Sequence, residues 1–211
     1  MTHQFTFLRH GQSVANHDGI IQGHLDYPLS DVGRQQAEAR ADAWANEGRK
    51  YDRIIASPLL RASQTATILS TRLAIPMELD PAWKERHLGS AQGMSLQAFL
   101  DASRNRPPTP PFLSGYEDGE GTWDLYRRAS AAIQGLVRRA PGRYLVVSHG
   151  GILNAALRAI LGLAPTPGLP PRFDLGNCGF ADLSMHADGA WTFHALCNPS
   201  GAPAPDDESD R

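Results

Sequence analysis

Two histidines, each followed by glycine, are the residues of this 211-residue chain most suited to chemistry. His10 and His149 each come directly after a predicted strand, and a predicted helix begins at the second pair. Glycine lets the backbone approach a ligand closely, and a helix that starts there offers unpaired amides to an anion. One histidine after a strand is usually structural, but the repeat of the pattern favours an anion site.

Arginine supplies the positive charge for such a site, because almost all basic residues of the chain are arginines. Arg9 precedes the first histidine, and Arg61 falls in the first turn of a predicted helix. A guanidinium group can hold phosphate oxygens with two hydrogen bonds, and its charge lowers the pKa of a nearby imidazole. We expect His10 and His149 to face each other across a gap that fits an oxyanion, with a histidine able to attack phosphorus.

Composition excludes several other functions. The 22 acidic and 20 basic residues give a formal net charge of -2, which gives no reason to expect nucleic acid or an anionic membrane as the main partner. The sequence has neither the ~18 uncharged apolar residues of a membrane span nor a secretion signal, so we expect a cytoplasmic protein. Cys178 and Cys197 lack metal-ligand spacing, and we expect both to be buried, reduced thiols.

The predicted elements alternate between strand and helix, which predicts an α/β fold: a three-layer α/β/α sandwich with a mainly parallel central sheet. We predict strands at 4–9, 52–56, 76–79 and 143–148, helices at 30–46, 57–73, 95–104, 123–139 and 152–160, and a closing hairpin at 178–185 and 191–196. Ligands bind beyond the carboxyl ends of such strands. The topology alone therefore brings His10, Ser57, Arg61 and His149 to one edge.

Some predictions concern packing and domain organisation. Ser57 is a good N-cap for the helix that carries Arg61, and Pro58 suits its first turn. Arg61 lies off the apolar stripe of that helix, so we expect Arg61→Ala to reduce turnover more than stability. Trp123 and Tyr126 fit the buried face of a later helix. The length fits a single domain at 1–198, with a lid or cap excursion at about 83–121 that includes the proline-rich run 106–112, and a flexible tail at 199–211.

Six ordered blocks give the chain a resemblance to a known family. The blocks are LRHGQSVAN, IQGHLDYPLSDVGRQQA, SPLLRASQTA, KERHLGSAQG, GEGTWDLYRRA and VVSHGGIL. They resemble the histidine phosphatase superfamily, which is phosphoglycerate mutase-like, and within it the branch of small phosphomonoesterases. The resemblance implies that the chain is a phosphatase acting on a small phosphorylated metabolite, with no metal and no cofactor.

The resemblance also implies residue roles. His10 would be the nucleophile that becomes phosphohistidine, and Glu85 would protonate the leaving oxygen and later take a proton from water. The phosphoryl oxygens would be held by Arg9, Arg61 and His149, and the phosphate or substrate would lie near Asn16, Gln22, Gly23 and Gly150.

Alternatives remain open at this point. A cofactor-dependent phosphoglycerate mutase, primed by 2,3-bisphosphoglycerate, shares the phosphohistidine, but the Arg-Arg-Ser-Tyr-like segment and later lysine of typical mutases are missing here. A non-catalytic module that binds a phosphorylated ligand is the third reading. Glu85 could instead be a surface carboxylate paired with Arg86. His87 could pack a loop or line the substrate pocket, the role of Glu120 is open, and His24 is read as structural or exposed.

Overall fold

The computed structural model describes residues 2–105, 110, 113–166 and 171–199. Its centre is a six-stranded sheet in the order β3-β2-β4-β1-β5-β6. The strands are β1 (His3–Arg9), β2 (Arg53–Ala56), β3 (Met77–Leu79), β4 (Arg143–Ser148), β5 (Phe180–Met185) and β6 (Trp191–Cys197). The first four are parallel, and β5 and β6 form an antiparallel hairpin at one side of the sheet. The predicted mainly parallel sheet and closing hairpin are confirmed.

Helices cover both faces of the sheet, so the three-layer architecture is also confirmed. The helices are α1 (Val14–His17), α2 (Asp31–Asn46), α3 (Leu60–Leu73), α4 (Leu96–Arg104), α5 (Thr122–Val137) and α6 (Gly150–Ile160). Alternate strand residues point to opposite faces. Phe7 and Val146 therefore join the core beneath α5 and α6, whereas Leu8 and Val147 join the core beneath α2 and α3.

A third, small core lies beside the sheet rather than on it. Ile21, Leu88, Ala91 and Phe99 pack together, and they join the loop after α1 to α4 and to a 3-10 helix at Gly89–Ala91. This cluster holds the described part of the predicted excursion, residues 83–121, against the rest of the molecule. Most of the run 106–112 and of the tail 199–211 lies outside the described residues, so those two predictions stay predictions.

Three details of the sequence-based prediction are wrong. Helix α3 has Leu59, not Ser57, at its N-cap, with no side-chain hydrogen bond there; the hydroxyl of Ser57 lies against His149 and accepts from the backbone N–H of Leu59. Trp123 and Tyr126 are only partly buried; their rings pack edge to face on each other, with centroids 5.7 Å apart, while other residues of α5 fill the core. Cys178 is buried but Cys197 is not, because β6 is an edge strand.

No helix among the described residues combines the length and the apolar character needed to cross a membrane.

Candidate active site

Two neighbouring strands place the two histidines side by side. β1 and β4 are paired in parallel with Arg9 opposite Ser148, so the next residue of each strand, His10 and His149, leaves the sheet at the same edge. The ring centroids are 5.1 Å apart at an interplanar angle of 63°. This is the distance of an edge contact between aromatic rings. An anion would therefore lie beside the pair rather than in a gap between the rings, which corrects the expected arrangement.

The hydrogen bond of His10 fixes which ring nitrogen can react. Its Nδ1 lies 2.6 Å from the carbonyl oxygen of Gly11, and since a carbonyl oxygen only accepts, Nδ1 carries the proton. Burial, followed by the charges of Arg61 and Arg9, holds the pKa of His10 well below its ordinary value. The imidazole is therefore neutral, and its Nε2 atom keeps a free electron pair for attack on an electrophile.

His149 makes hydrogen bonds through both ring nitrogens. Its Nδ1 accepts from Nε of Arg61 at 3.2 Å, and its Nε2 lies 2.7 Å from Oγ of Ser57. Burial, followed by the charge of Arg61, lowers the pKa of His149 well below its ordinary value, so the neutral ring donates from Nε2. Because both nitrogens are engaged, a direct bond from His149 to a phosphoryl oxygen requires it to release Ser57.

Arg61 is fixed by several hydrogen bonds. Besides its bond to His149, it donates to the carbonyl oxygens of Gly23 at 2.8 Å and Leu25 at 3.0 Å. Only 1% of its surface is exposed. The residue is off the apolar stripe of α3, as predicted, but it is buried against the loop that follows α1. The expectation that Arg61→Ala affects turnover more than stability does not fit this burial.

We call Arg9, His10, Arg61 and His149 the histidine–arginine cluster. Arg9 is 5% exposed and donates to the carbonyl oxygen of Leu175 at 2.9 Å. A cavity of about 50 Å³ opens onto the cluster, and its wall consists of Arg9, His10, Asn16, Ile20, Ile21, Gln22, Gly23, Arg61, Glu85, Arg86 and Leu88. His149 lies behind this wall. Most of the wall is therefore polar or charged, and its apolar side chains are those of Ile20, Ile21 and Leu88.

Glu85 enters the same cavity from an irregular segment. Its carboxylate accepts backbone N–H groups of Gly151 and Ile152, both at 3.0 Å, and of Arg86 at 2.8 Å. The first two belong to the amino terminus of α6, whose dipole favours a negative charge. Glu85 is thus bound to the helix that begins at the second histidine. The alternative in which it pairs with the Arg86 side chain at the surface is wrong, because Arg86 contributes its backbone amide.

The predicted substrate-binding residues lie on α1, on the loop after it and at the start of α6. Asn16, Gln22 and Gly23 all line the cavity. The Oδ1 atom of Asn16 accepts from the backbone N–H of Ser13 at 3.1 Å, so its Nδ2 group is the part of the side chain that can donate to a ligand. Gly150 is the first residue of α6, where the amide has no acceptor within the helix. The structure therefore brings all nine predicted site residues to this edge of the sheet.

The sequence did not single out the contacts that hold these residues in place. Thr65 accepts from the amide of Gly11 at 3.1 Å and donates to the carbonyl oxygen of Arg61 at 2.7 Å, so it joins α3 to the loop after β1. Nε2 of His24 donates to the carbonyl oxygen of Glu85 at 2.7 Å. Arg128, on α5, donates to the same oxygen at 3.0 Å. Only the proximity of His24 to Gln22 and Gly23 in the sequence could have suggested one of them.

His87 and Glu120 have structural surroundings. Nδ1 of His87 donates to the carbonyl oxygen of Asp118 at 2.9 Å, and its ring makes an edge contact with His24 at 4.9 Å between centroids. The carboxylate of Glu120 accepts from Nε and Nη2 of Arg128 at 2.9 and 2.7 Å. Both residues therefore support the chain around Glu85, and neither lines the cavity. Within the described ranges, no group of three or more His, Cys, Asp and Glu residues could hold a metal ion.

The chain is similar to known proteins in sequence and in fold. The family model described as histidine phosphatase superfamily (branch 1) matches residues 5–199. The chain is 34% identical over 203 residues to glucosyl-3-phosphoglycerate phosphatase of Mycolicibacterium vanbaalenii, covering 88% of this chain and 87% of that protein. It is 35% identical over 161 residues to phosphoglycerate mutase-like protein 4 of Arabidopsis thaliana, covering 72% and 68%. A solved structure of mycobacterial glucosyl-3-phosphoglycerate phosphatase with VO3 has a TM-score of 0.76 and 29% identity, covering 92% of this chain and 98% of that chain.

Proposed function

The chain belongs to the histidine phosphatase superfamily, and we propose that it hydrolyses a small phosphomonoester, without a metal ion, through a phosphohistidine formed on His10. One observation carries the proposal: Nδ1 of His10 is bound to the carbonyl oxygen of Gly11, so the unprotonated Nε2 of a neutral ring remains for attack. Arg9 and Arg61 line the same cavity and supply the positive charge that a phosphoryl group requires.

In the first step, Nε2 of His10 attacks phosphorus and the bond from phosphorus to the ester oxygen breaks. The leaving oxygen takes a proton from the carboxyl group of Glu85. The three backbone amides around Glu85 stabilise the carboxylate that this transfer produces. The guanidinium groups of Arg9 and Arg61 are in place before the reaction, so they stabilise charge on the phosphoryl oxygens without reorganisation.

In the second step, water attacks the phosphohistidine. The carboxylate of Glu85 takes a proton from the water, the bond from phosphorus to Nε2 breaks, and inorganic phosphate leaves. Asn16, Gln22, Gly23 and the amide of Gly150 are the groups that would hold the phosphate or the rest of the substrate. His149 supports the reaction through Arg61, since its Nδ1 accepts from that guanidinium group.

The proposal includes a small phosphorylated metabolite as the partner and the cytoplasm as the place of action. Metal independence is tested directly by activity in EDTA. Full activity in the chelator supports it, whereas a loss that a divalent cation restores would show that a metal is required.

The phosphohistidine itself can be trapped. Rapid mixing with p-nitrophenyl phosphate and an alkaline quench, which preserves phosphohistidine, should give a protein heavier by one phosphoryl group in intact-mass spectrometry. His10→Ala should not gain this mass, and the exposed His186 provides a matched control, His186→Ala, that should behave as wild type. Equal labelling of His10→Ala would overturn the proposed nucleophile.

A mutase activity is the second candidate, because one relative of similar identity is named phosphoglycerate mutase-like. A mutase returns the phosphoryl group to a bound acceptor and therefore has to exclude water. Phosphate release from a panel of phosphomonoesters, beside a mutase assay with and without 2,3-bisphosphoglycerate, separates the two. Phosphate release that is independent of the bisphosphate favours the phosphatase.

A further inference from the structure

The backbone carbonyl of Glu85 is held from two sides by residues that do not line the cavity. Nε2 of His24 donates to this oxygen at 2.7 Å, and Nη2 of Arg128 donates to it at 3.0 Å. His24 belongs to the loop after α1, and Arg128 belongs to α5, on the other side of the segment. The main chain at Glu85 is therefore fixed between two parts of the fold that are distant in sequence.

Arg128 fixes more of the segment than this one atom. Its Nη1 donates to the carbonyl oxygens of Ala82 at 3.0 Å and Lys84 at 2.5 Å. Its Nε and Nη2 hold the carboxylate of Glu120 in a bidentate pair. All five N–H groups of the guanidinium are thus used, and the side chain is 23% exposed. This is a fixed connection from α5 to the irregular chain before Glu85, with Glu120 compensating the charge.

His24 connects the same segment to the histidine–arginine cluster. Its neighbours Gly23 and Leu25 accept hydrogen bonds from Arg61 through their carbonyl oxygens, while its own ring reaches Glu85. Its backbone amide donates to Oε1 of Gln92 at 2.7 Å. The tripeptide 23–25 therefore holds the arginine that faces the phosphate and the residue that would protonate the leaving oxygen at a set distance from each other.

We propose that Arg128 and His24 are positioning residues that act through Glu85, setting where its carboxyl group meets the leaving oxygen. This inference rests on the proposed function, in which Glu85 is the proton donor. It predicts an effect that depends on the leaving group. An alkyl alcohol leaves poorly without a proton, whereas p-nitrophenolate, a weak base, leaves without one. Displacement of Glu85 should therefore slow the hydrolysis of alkyl phosphates and spare p-nitrophenyl phosphate.

The experiment measures kcat/KM, which includes the departure of the leaving group but not the later hydrolysis of phosphohistidine. The substrates are p-nitrophenyl phosphate and three alkyl phosphates: glycerol 3-phosphate, 3-phosphoglycerate and O-phosphoserine. For Arg128→Lys and for His24→Phe we expect kcat/KM to fall at least ~10-fold for the best alkyl substrate and less than ~3-fold for the aryl one, a part of the full effect of a general acid. His24→Gln keeps a donor near the position of Nε2 and should recover much of the loss.

Arg127→Lys is the matched control, because Arg127 is the neighbouring arginine on α5 with a 78% exposed side chain. It should leave both substrates unchanged. Glu85→Gln separates the inference from the proposed function. If Glu85→Gln shows no difference between alkyl and aryl substrates, Glu85 is not the proton donor and the proposed function fails in that step. If Glu85→Gln shows the difference but Arg128→Lys and His24→Phe lower both substrates equally or not at all, the positioning role is wrong. Should Arg128→Lys not fold, the comparison of His24→Phe with His24→Gln decides.

Discussion

The histidine–arginine cluster and the Glu85 segment, residues 82–89, face one cavity but are held in place by different means. In the cluster, Arg9, His10 and Arg61 are at most 5% exposed and lie at strand ends or on a helix of the central sandwich. The Glu85 segment contains only short 3-10 turns, and Glu85, Arg86 and most of its neighbours are partly exposed. Between the buried side chains of Trp83 and Leu88, its main chain is held by side chains that bind its carbonyl oxygens.

This difference indicates which changes affect folding and which affect only the reaction. The cluster is part of the core, so its residues combine stability with function. The Glu85 segment has Trp83 and Leu88 buried at its two ends, and between them it is held by hydrogen bonds from α5, α6 and the loop after α1. We expect changes in the cluster to reduce activity and stability together, and changes at the segment to reduce activity with a smaller loss of stability.

The largest combined effect is expected for Arg61→Ala. Removal of the guanidinium takes a positive charge from the cavity and leaves the carbonyl oxygens of Gly23 and Leu25, and Nδ1 of His149, without their donor. We expect kcat/KM to fall by about 10²–10³-fold and the free energy of unfolding to fall by about 3 kcal/mol, since each buried acceptor left unpaired costs on the order of 1–3 kcal/mol. Steady-state kinetics and urea unfolding measure both. A large loss of activity with unchanged stability would contradict the buried role of Arg61.

The next effect is expected at two glycines that pack closely. In Gly11→Ala the new methyl group would fall on the backbone carbonyl of Gly33 in α2, and in Gly89→Ala it would fall on the backbone of Glu117 and Gly119. The first contact lies in the core and cannot relax, so we expect a loss of roughly 2–4 kcal/mol in unfolding free energy. The second contact is also with backbone atoms, and Gly89 has a positive φ of 52°, which alanine adopts only at a cost, so we expect a loss of at least the same size. Gly89 is thus the exception within the Glu85 segment. Urea unfolding measures both losses, and a loss below about 1 kcal/mol for Gly89→Ala would contradict the close packing of this turn.

The pH dependence of stability below pH 6.5 should come mainly from the cluster, with a further part from His24, whose pKa burial also lowers. Burial lowers the pKa of His10 and of His149 below the ordinary value of 6.5, so the unfolded chain binds these protons first as the pH falls. The free energy of unfolding is therefore highest above pH 6.5 and should decrease below it, until the pH reaches the lowered values in the folded protein. Each histidine adds a slope of up to about 1.4 kcal/mol per pH unit.

Urea unfolding between pH 8 and pH 5 measures this slope. His10→Asn should reduce it by the share of one histidine, whereas His186→Asn, at an exposed position, should not change it. A slope that is the same in wild type and His10→Asn would mean that His10 is not protonated preferentially in the unfolded state.

The sequence predicted the cluster better than the segment for a physical reason. Apolar patterns identify strands, and parallel pairing then brings the ends of β1 and β4 together whatever the details of packing, so the neighbourhood of His10 and His149 follows from topology. The burial of Arg61 does not follow, because a helical pattern shows which face is apolar but not where a long polar side chain ends. Its acceptors are carbonyl oxygens of a loop.

The contacts around Glu85 carry even less signal in the sequence. Arg128 and His24 bind backbone carbonyl groups, which every residue has, so no residue type marks the partner. The prediction for Ser57 was wrong in another way: Ser-Pro is a good start for a helix, but α3 begins three residues later. The Ser57 hydroxyl accepts from the amide of Leu59 and also binds His149, and a local rule does not show this contact with a distant functional side chain.

The smallest effect is expected for Gly135→Ala. This substitution tests whether the position of Glu85 depends on the stability of α5. Gly135 lies on the exposed face of α5, and a methyl group there would have no neighbour within 4 Å. Alanine in an exposed helix should raise the free energy of unfolding by about 0.5–1 kcal/mol.

The same helix carries Arg128 two turns earlier. The substitution therefore stabilises the helix that supports the Glu85 segment without changing the hydrogen bonds that hold the segment. If those bonds alone set the position of Glu85, urea unfolding should show the gain while the ratio of kcat/KM for alkyl and aryl phosphates stays unchanged. A shift in that ratio would show that the position depends on the stability of α5 as a whole.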